Sequence, residues 1–179
     1  RKVGYQWTQK ANFGGTARYL AVGARLGNYG YIGTGWDINW IRCRDFWKYN
    51  PSTNTWTQIT YFTGAGRYGA VGFGIDNWGM CVGTGVDSRD KVLKNFYVWL
   101  YDHWNRITDL GGEARRLAVG FSIGTKGYVG TGRAAVYAYK DFWEYNPSTN
   151  TWTQRTNFGG GVRWGAVGFS IEDKGYIGT

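Results

Sequence analysis

Asp141 to Gln154 reads DFWEYNPSTNTWTQ, and Asp45 to Gln58 reads DFWKYNPSTNTWTQ. The two stretches differ only at Lys48 and Glu144. A segment this long recurring in one chain marks an internal repeat. Its inside reads as a hairpin. Phe142 and Glu144 fall on one side and Trp143 and Tyr145 on the other, the period-two signature of a strand. Pro147 to Asn150 then supplies residues that preset or tolerate turn conformations. Thr151 to Gln154 opens a further strand.

Working outward, Ala-Val-Gly occurs at Ala21, Ala70, Ala118 and Ala166, at spacings of 49, 48 and 48 residues. Trp7, Trp56, Trp104 and Trp152 each lie 14 residues before the alanine, and Phe13, Phe62, Leu110 and Phe158 lie 8 before it. Arg18, Arg67, Arg115 and Arg163 lie 3 before it. A Gly-Thr pair follows each alanine: Gly33-Thr34, Gly83-Thr84, Gly130-Thr131 and Gly178-Thr179. Each unit therefore reads as four short strands, exemplified by Ala118 to Ile123, Gly127 to Gly132, Asp141 to Pro147 and Thr151 to Gln154. Lys91 to Leu100 has the look of an amphipathic helix. The repeat register sets its Phe96, Tyr97 and Trp99 against Phe46, Trp47 and Tyr49, which makes it a strand. The chain opens in a fourth strand, Tyr5 to Gln9, and units start near residues 17, 66, 114 and 162.

Composition narrows the class. Of 179 residues, 30 are glycine, well above the usual share of about 7%. Aromatic residues make up 19%, which excludes a disordered chain. With 2 prolines and no three-residue glycine period, a collagen-like chain is excluded as well. No apolar run approaches the ~18 residues that a membrane-spanning helix needs. The formal charge of +9 favours acidic partners, and it also serves solubility. Cys43 and Cys81 lie too far apart for a CxxC site and leave the redox compartment and their own pairing open.

The quoted hairpin resembles the third and fourth strands of a kelch repeat. Gly66 to Phe73 (GRYGAVGF) and Lys174 to Thr179 (KGYIGT) resemble its first and second. The resemblance covers nearly the whole of residues 1–179 and implies an all-β, kelch-type β-propeller with about three and a half four-stranded blades. One departure is a Gly-Thr-Gly where the kelch repeat has a Gly-Gly pair. Kelch propellers close with five to seven blades, about 240 to 340 residues at this period. The resemblance thus implies either a fragment of a longer ring or a ring completed by several chains. The wording is similar to bacterial, extracytoplasmic kelch proteins, which implies a secreted or cell-surface location.

Function on such a scaffold is expected in loops that break the repeat. The repeated tryptophans read as inter-blade packing. The repeated Arg18, Arg67, Arg115 and Arg163 have two readings: a ring of cations at the channel mouth for an anionic group, or ties to loop carbonyls in each blade. The second-to-third connections vary most: Trp36 to Arg44, Val86 to Lys94 and Arg133 to Lys140, with net charges of +1, +1 and +2. They carry Trp36, Trp40, Tyr137 and Tyr139 beside Arg42, Arg89 and Arg133. These are candidates to stack on and charge-pair with a ligand, the other reading being that Trp36 and Trp40 cover a neighbouring blade. Trp78 and Trp164 read as packing.

Catalytic signals are poor. His103, in a turn beside Asp102, is the single histidine, too few for the copper-radical oxidase chemistry known on kelch propellers. A sialidase-like site lacks acidic partners, with Glu113 alone near the arginines. The leading expectation is a non-catalytic binding or scaffold module for a protein or anionic glycan, with no cofactor and no metal. The alternatives are a glycan-directed enzyme and a self-assembling structural protein. Nucleic acid is the least favoured partner, since the basic residues are scattered.

Overall fold

The computed structural model describes residues 6–178 and contains only strands and turns among them. The first unit holds β1 (Arg18–Tyr19), β2 (Val22–Leu26), β3 (Tyr29–Gly33), β4 (Trp36–Asp37), β5 (Phe46–Asn50) and β6 (Thr55–Ile59). The second holds β7 (Arg67–Tyr68), β8 (Val71–Ile75), β9 (Gly79–Gly83), β10 (Val86–Asp87), β11 (Phe96–Leu100) and β12 (His103–Ile107). The third holds β13 (Val119–Ile123), β14 (Lys126–Gly130), β15 (Phe142–Asn146) and β16 (Thr151–Arg155), followed by the hairpin β17 (Val167–Ile171) and β18 (Lys174–Gly178). Three antiparallel four-stranded sheets result, in the orders β2-β3-β5-β6, β8-β9-β11-β12 and β13-β14-β15-β16.

The period-two pattern accounts for how the sheets stack. Val71, Phe73 and Ile75 on β8 are buried, and so are Val119 and Phe121 on β13. The alternate positions are glycine or small, and this lets sheets approach closely. A Cβ on Gly72 would run into Val22 of the first sheet, and one on Gly120 would crowd Val71 of the second. Each sheet therefore lays its glycine-bearing face on the apolar face of the sheet before it. The apolar face of β17–β18 has no such cover among the described residues: Val167 is 66% exposed, while its counterparts Val22, Val71 and Val119 are 2 to 4% exposed.

Innermost, a backbone hydrogen-bond relay runs from unit to unit. Gly69 N donates to Leu20 O (3.0 Å), Leu117 N to Gly69 O (2.8 Å) and Gly165 N to Leu117 O (2.9 Å). Farther out, the repeated tryptophans act as ties. The indole N–H groups of Trp56, Trp104 and Trp152 donate to the carbonyls of Ala11, Thr60 and Thr108 at 3.1 to 3.2 Å. The PSTN turn is a second tie. Asn150 Oδ1 accepts from the Tyr145 hydroxyl and from Thr108 N, as Asn54 Oδ1 does from Tyr49 and Ala11 N.

Several expectations shift. Lys91 to Leu100 is a strand only from Phe96, and Val92 makes an isolated bridge to Val86. The second strand of the third unit ends at Gly130 rather than Gly132, because Thr131 and Gly132 turn to positive φ (57° and 85°) and leave the ladder. Gln6 to Gln9 forms no strand, and Trp7 is fully exposed rather than packed, since no third strand lies beside it among the described residues. Tyr5 and Thr179 lie outside the described residues. Cys43 and Cys81 are buried and unpaired. His103 starts β12 and is exposed.

Candidate functional site

The repeated arginines are loop ties, which removes them from the candidate ligand contacts. Arg67 and Arg115 are wholly buried. Arg115 donates to Thr131 O (2.9 Å) and Glu113 O (3.0 Å), and grips both oxygens of Asp141 at 2.6 Å. Arg18 does the same with Thr34 O, Thr16 O and Asp45. Burial raises the Asp45 and Asp141 carboxyls. Hydrogen bonds from the arginine and from the Trp47 or Trp143 indole outweigh this and hold both below the ordinary carboxylate value. In the second unit Asn95 stands in the carboxylate's place. Arg67 donates to Asn95 Oδ1 (2.8 Å) and Thr84 O (2.9 Å), its Nη2 has no partner, and burial pulls its pKa to about 10. Arg163 is half-buried; its Nε donates to Gly161 O and its guanidinium lies 4.5 Å from the Phe158 ring.

The departure in the Gly-Thr-Gly motif has a conformational setting. Thr34, Thr84 and Thr131 sit at φ of 56°, 62° and 57°, a left-handed region that suits glycine. Each threonine carbonyl accepts from the tying arginine.

The position after each tying arginine is different in kind. Tyr19, Tyr68, Arg116 and Trp164 occupy the same register in successive units. The first three pair with the first residue of the second-to-third loop: Tyr19 with Trp36, Tyr68 with Val86, Arg116 with Arg133. These two short ladders and the Arg116–Arg133 bridge bring the variable loops and the inner-strand entries to one end of the molecule. Two tight turns shape them. Asp37 Oδ1 accepts from the N–H groups of Asn39 and Ile41, and Asp87 Oδ1 from those of Arg89 and Lys91.

At that end the side chains form a continuous aromatic and cationic run. Tyr19 stacks on Trp36 (5.6 Å, 24°), and Trp36 meets Trp40 edge-on (5.5 Å) and Tyr68 at 5.0 Å. The Arg42 guanidinium lies 4.0 Å from the Trp36 ring and pairs with Asp90 at 2.9 Å. Arg116 donates to the Tyr68 hydroxyl (2.9 Å), and Arg133 lies 5.0 Å from the Trp164 ring. Such cation–aromatic contacts are worth roughly 0.5 to 2 kcal/mol each. Trp36 Nε1, Arg42 Nε and Arg116 Nε are buried donors without partners. A cleft of about 410 Å³ opens against Tyr19, Trp36, Ile38 and Trp40. A space of about 240 Å³ is floored by Leu20, Leu117 and the small residues before each inner strand. A larger groove, about 710 Å³, runs along the first unit's flank. Two of its charged groups, Asp45 and Arg42, are already paired with Arg18 and Asp90, so it offers less unspent chemistry.

The candidates named from sequence divide accordingly. Trp36, Trp40, Arg42 and Arg133 belong to the run, with Trp40 72% exposed. Trp36 also covers Tyr68 of the next unit, as its packing reading expects. Arg89 and Tyr137 stand exposed at loop tips, outside these contacts. Tyr139 lies over the tying Arg115 (4.7 Å), and burial pushes its hydroxyl up. Trp164, expected as packing, is half exposed, whereas Trp78 does pack on Tyr145. Tyr19, Tyr68 and Arg116 were not singled out from sequence. The available signal was that a register otherwise fixed by the repeat reads Tyr, Tyr, Arg, Trp. Glu113 is exposed.

Known proteins add a fold and no activity. No protein-family model and no curated protein matches the chain. Among 147 solved chains that match in structure is one titled "Structure of YjhT", with a TM-score of 0.77 and 18% identity. The match covers 94% of this chain and 60% of that one, so the chain spans about three-fifths of that protein's length. At that identity the likeness concerns the fold alone: an all-β, propeller-like stack of four-stranded antiparallel sheets. No helix long and apolar enough to cross a membrane is present among the described residues.

Proposed function

We propose that the chain is a non-catalytic binding module, three and a half blades of a kelch-type propeller, whose loop-rich end takes an anionic glycan. The observation that carries this reading is the run from Tyr19 through Trp36 and Tyr68 to Arg116. It joins the exposed rings of Tyr19 and Trp40 to the guanidinium groups of Arg42 and Arg116, which each make one side-chain bond within the protein and keep further N–H donors. Aromatic rings stack on the apolar faces of sugar rings, and arginine supplies charge-assisted hydrogen bonds to an acid group. The tying arginines are excluded from this role because the loops and Asp45, Asn95 and Asp141 already hold them. The net charge of +9 supports the same sign of partner.

The test is retention of the protein on immobilised sulfated, uronate-containing and neutral polysaccharides at low and high salt. Retention is expected on the anionic polymers, weakening as salt rises. The double variant Trp40→Ala with Arg42→Ala is expected to bind less while staying folded, its melting temperature lower by only a few degrees for the lost contacts with Trp36. Equal retention on neutral polymers, or undiminished retention of the double variant, overturns the reading.

A further inference from the structure

One pair of residues at the loop-rich end breaks a local rule. Arg116 and Arg133 face each other in an isolated antiparallel bridge, exchanging both backbone hydrogen bonds at 2.9 Å. Residues so paired project from the same face of the ladder, their Cβ atoms about 5 Å apart, and like charges placed there are destabilising. The same register holds Tyr19 with Trp36 in the first unit and Tyr68 with Val86 in the second. Those are apolar pairs that stabilise a ladder. The third unit substitutes two cations, and neither makes an ion pair with a carboxylate among the described residues.

The donor geometry narrows what would neutralise them. Arg133 spends its Nε and Nη2 on the carbonyls of Ala134 (3.2 Å) and Ala135 (2.6 Å). Arg116 has its Nε buried and gives Nη1 to the Tyr68 hydroxyl. Arg133 keeps both Nη1 hydrogens and one on Nη2, and Arg116 keeps one on Nη1, both on Nη2 and its buried Nε–H, so each guanidinium still has donors to give. Those donors come from two sides, Arg116's from beside Tyr68 and Arg133's from beside Trp164. Both side chains are half-buried and thus reachable.

We propose that Arg116 and Arg133 form a subsite for a tetrahedral oxyanion, a sulfate or phosphate ester carried on a sugar ring, with Tyr68 and Trp164 as its walls. A tetrahedral group has three free oxygens and can accept from both guanidiniums at once, whereas one arginine fork already takes up both oxygens of a carboxylate. This inference rests on the binding reading above and sharpens it by naming the ligand group and the residues that meet it.

The test is titration of the native protein with glucose 6-sulfate, glucose 6-phosphate, glucuronate and glucose, followed by NMR. Either ester is expected to bind at least about tenfold more tightly than glucuronate, and glucose not measurably. The source of the oxyanion shows in pH: affinity for the phosphate ester rises through about pH 6 as it becomes a dianion, while affinity for the sulfate ester stays flat. Arg116→Gln and Arg133→Gln are each expected to lose about tenfold in ester affinity. The double variant is expected to melt no lower than the native protein, because it removes a repulsion. Stability and binding thus move independently, which a merely structural pair would not allow. Ester binding that survives both substitutions overturns the subsite and leaves the broader reading to its own polysaccharide test. Glucuronate binding as tightly as the esters, or no ester binding to the native protein, overturns it as well.

Discussion

The second and third units bury the same arginine and differ in what faces it. In the third, Asp141 meets Arg115 with both oxygens and also accepts from the Trp143 indole (2.6 Å). In the second, Asn95 offers Arg67 one oxygen, the tryptophan is replaced by Tyr97, and Nη2 is left unpartnered in the interior. Yet both arginines make the same bonds to loop carbonyls: Ala65 and Thr84 in one case, Glu113 and Thr131 in the other. The comparison separates two jobs. Carbonyl ties fix the loop and are common to both units. Compensation of the buried charge is a separate layer, present in one and reduced in the other.

Removing that layer where it exists has the largest expected effect. Asp141→Ala leaves Arg115 buried without its counter-charge, which costs about 3 kcal/mol, the lower end for breaking a buried pair because Asp141 is one-fifth exposed. For a chain of this size that lowers the melting temperature by about 10 °C. A loss below about 1 kcal/mol in denaturant unfolding would break the comparison, since it would mean the carbonyl ties carry the charge unaided. The reverse change comes next. Asn95→Asp gives Arg67 the carboxylate it lacks and is expected to add about 1 kcal/mol, a melting temperature higher by roughly 3 °C. Destabilisation by Asn95→Asp would show that the second unit's interior is built around a neutral partner.

Much of this scaffold was legible because it repeats. Four copies of Trp, Arg and Ala-Val-Gly in register define the units, and the stretch Ala118 to Ile123 reads as the strand whose Val119 and Phe121 are buried. The candidate site was legible only in part. Trp36, Trp40, Arg42 and Arg133 stand out because they lie in loops where the repeat fails. Tyr19, Tyr68 and Arg116 do not, because they sit one residue from an invariant arginine and look like scaffold. Register decides their role: a one-residue step along a strand moves the side chain to the opposite face. Arg115 therefore turns into the interior while Arg116 turns to the open end. Which of two readings an arginine follows depends on what the fold brings opposite it, Asp141 in one case and Arg133 in the other, and those partners lie 26 and 17 residues away in sequence.

The smallest expected effect concerns acid. Asp45 and Asp141 titrate below the ordinary value in the folded protein, because arginine and indole donors outweigh the upward push of burial. Around and below pH 4 the unfolded chain therefore binds more protons than the folded one, and stability falls as pH falls. The contribution is complete above the unfolded carboxylate value and is lost as pH drops through the depressed folded values. The second unit has no such carboxylate, so its own tie is indifferent to pH in this range. Native protein should lose stability between about pH 5 and pH 2, and Asp141→Asn should lose less over the same interval because one proton-linked pair is gone. Asn95→Asp should lose more, its added carboxylate behaving as its two counterparts do. Denaturant midpoints measured across that interval decide the matter. Parallel profiles for all three proteins would mean that the carboxylates facing the buried arginines are not what acid unlocks, and the two layers drawn apart above would collapse into one.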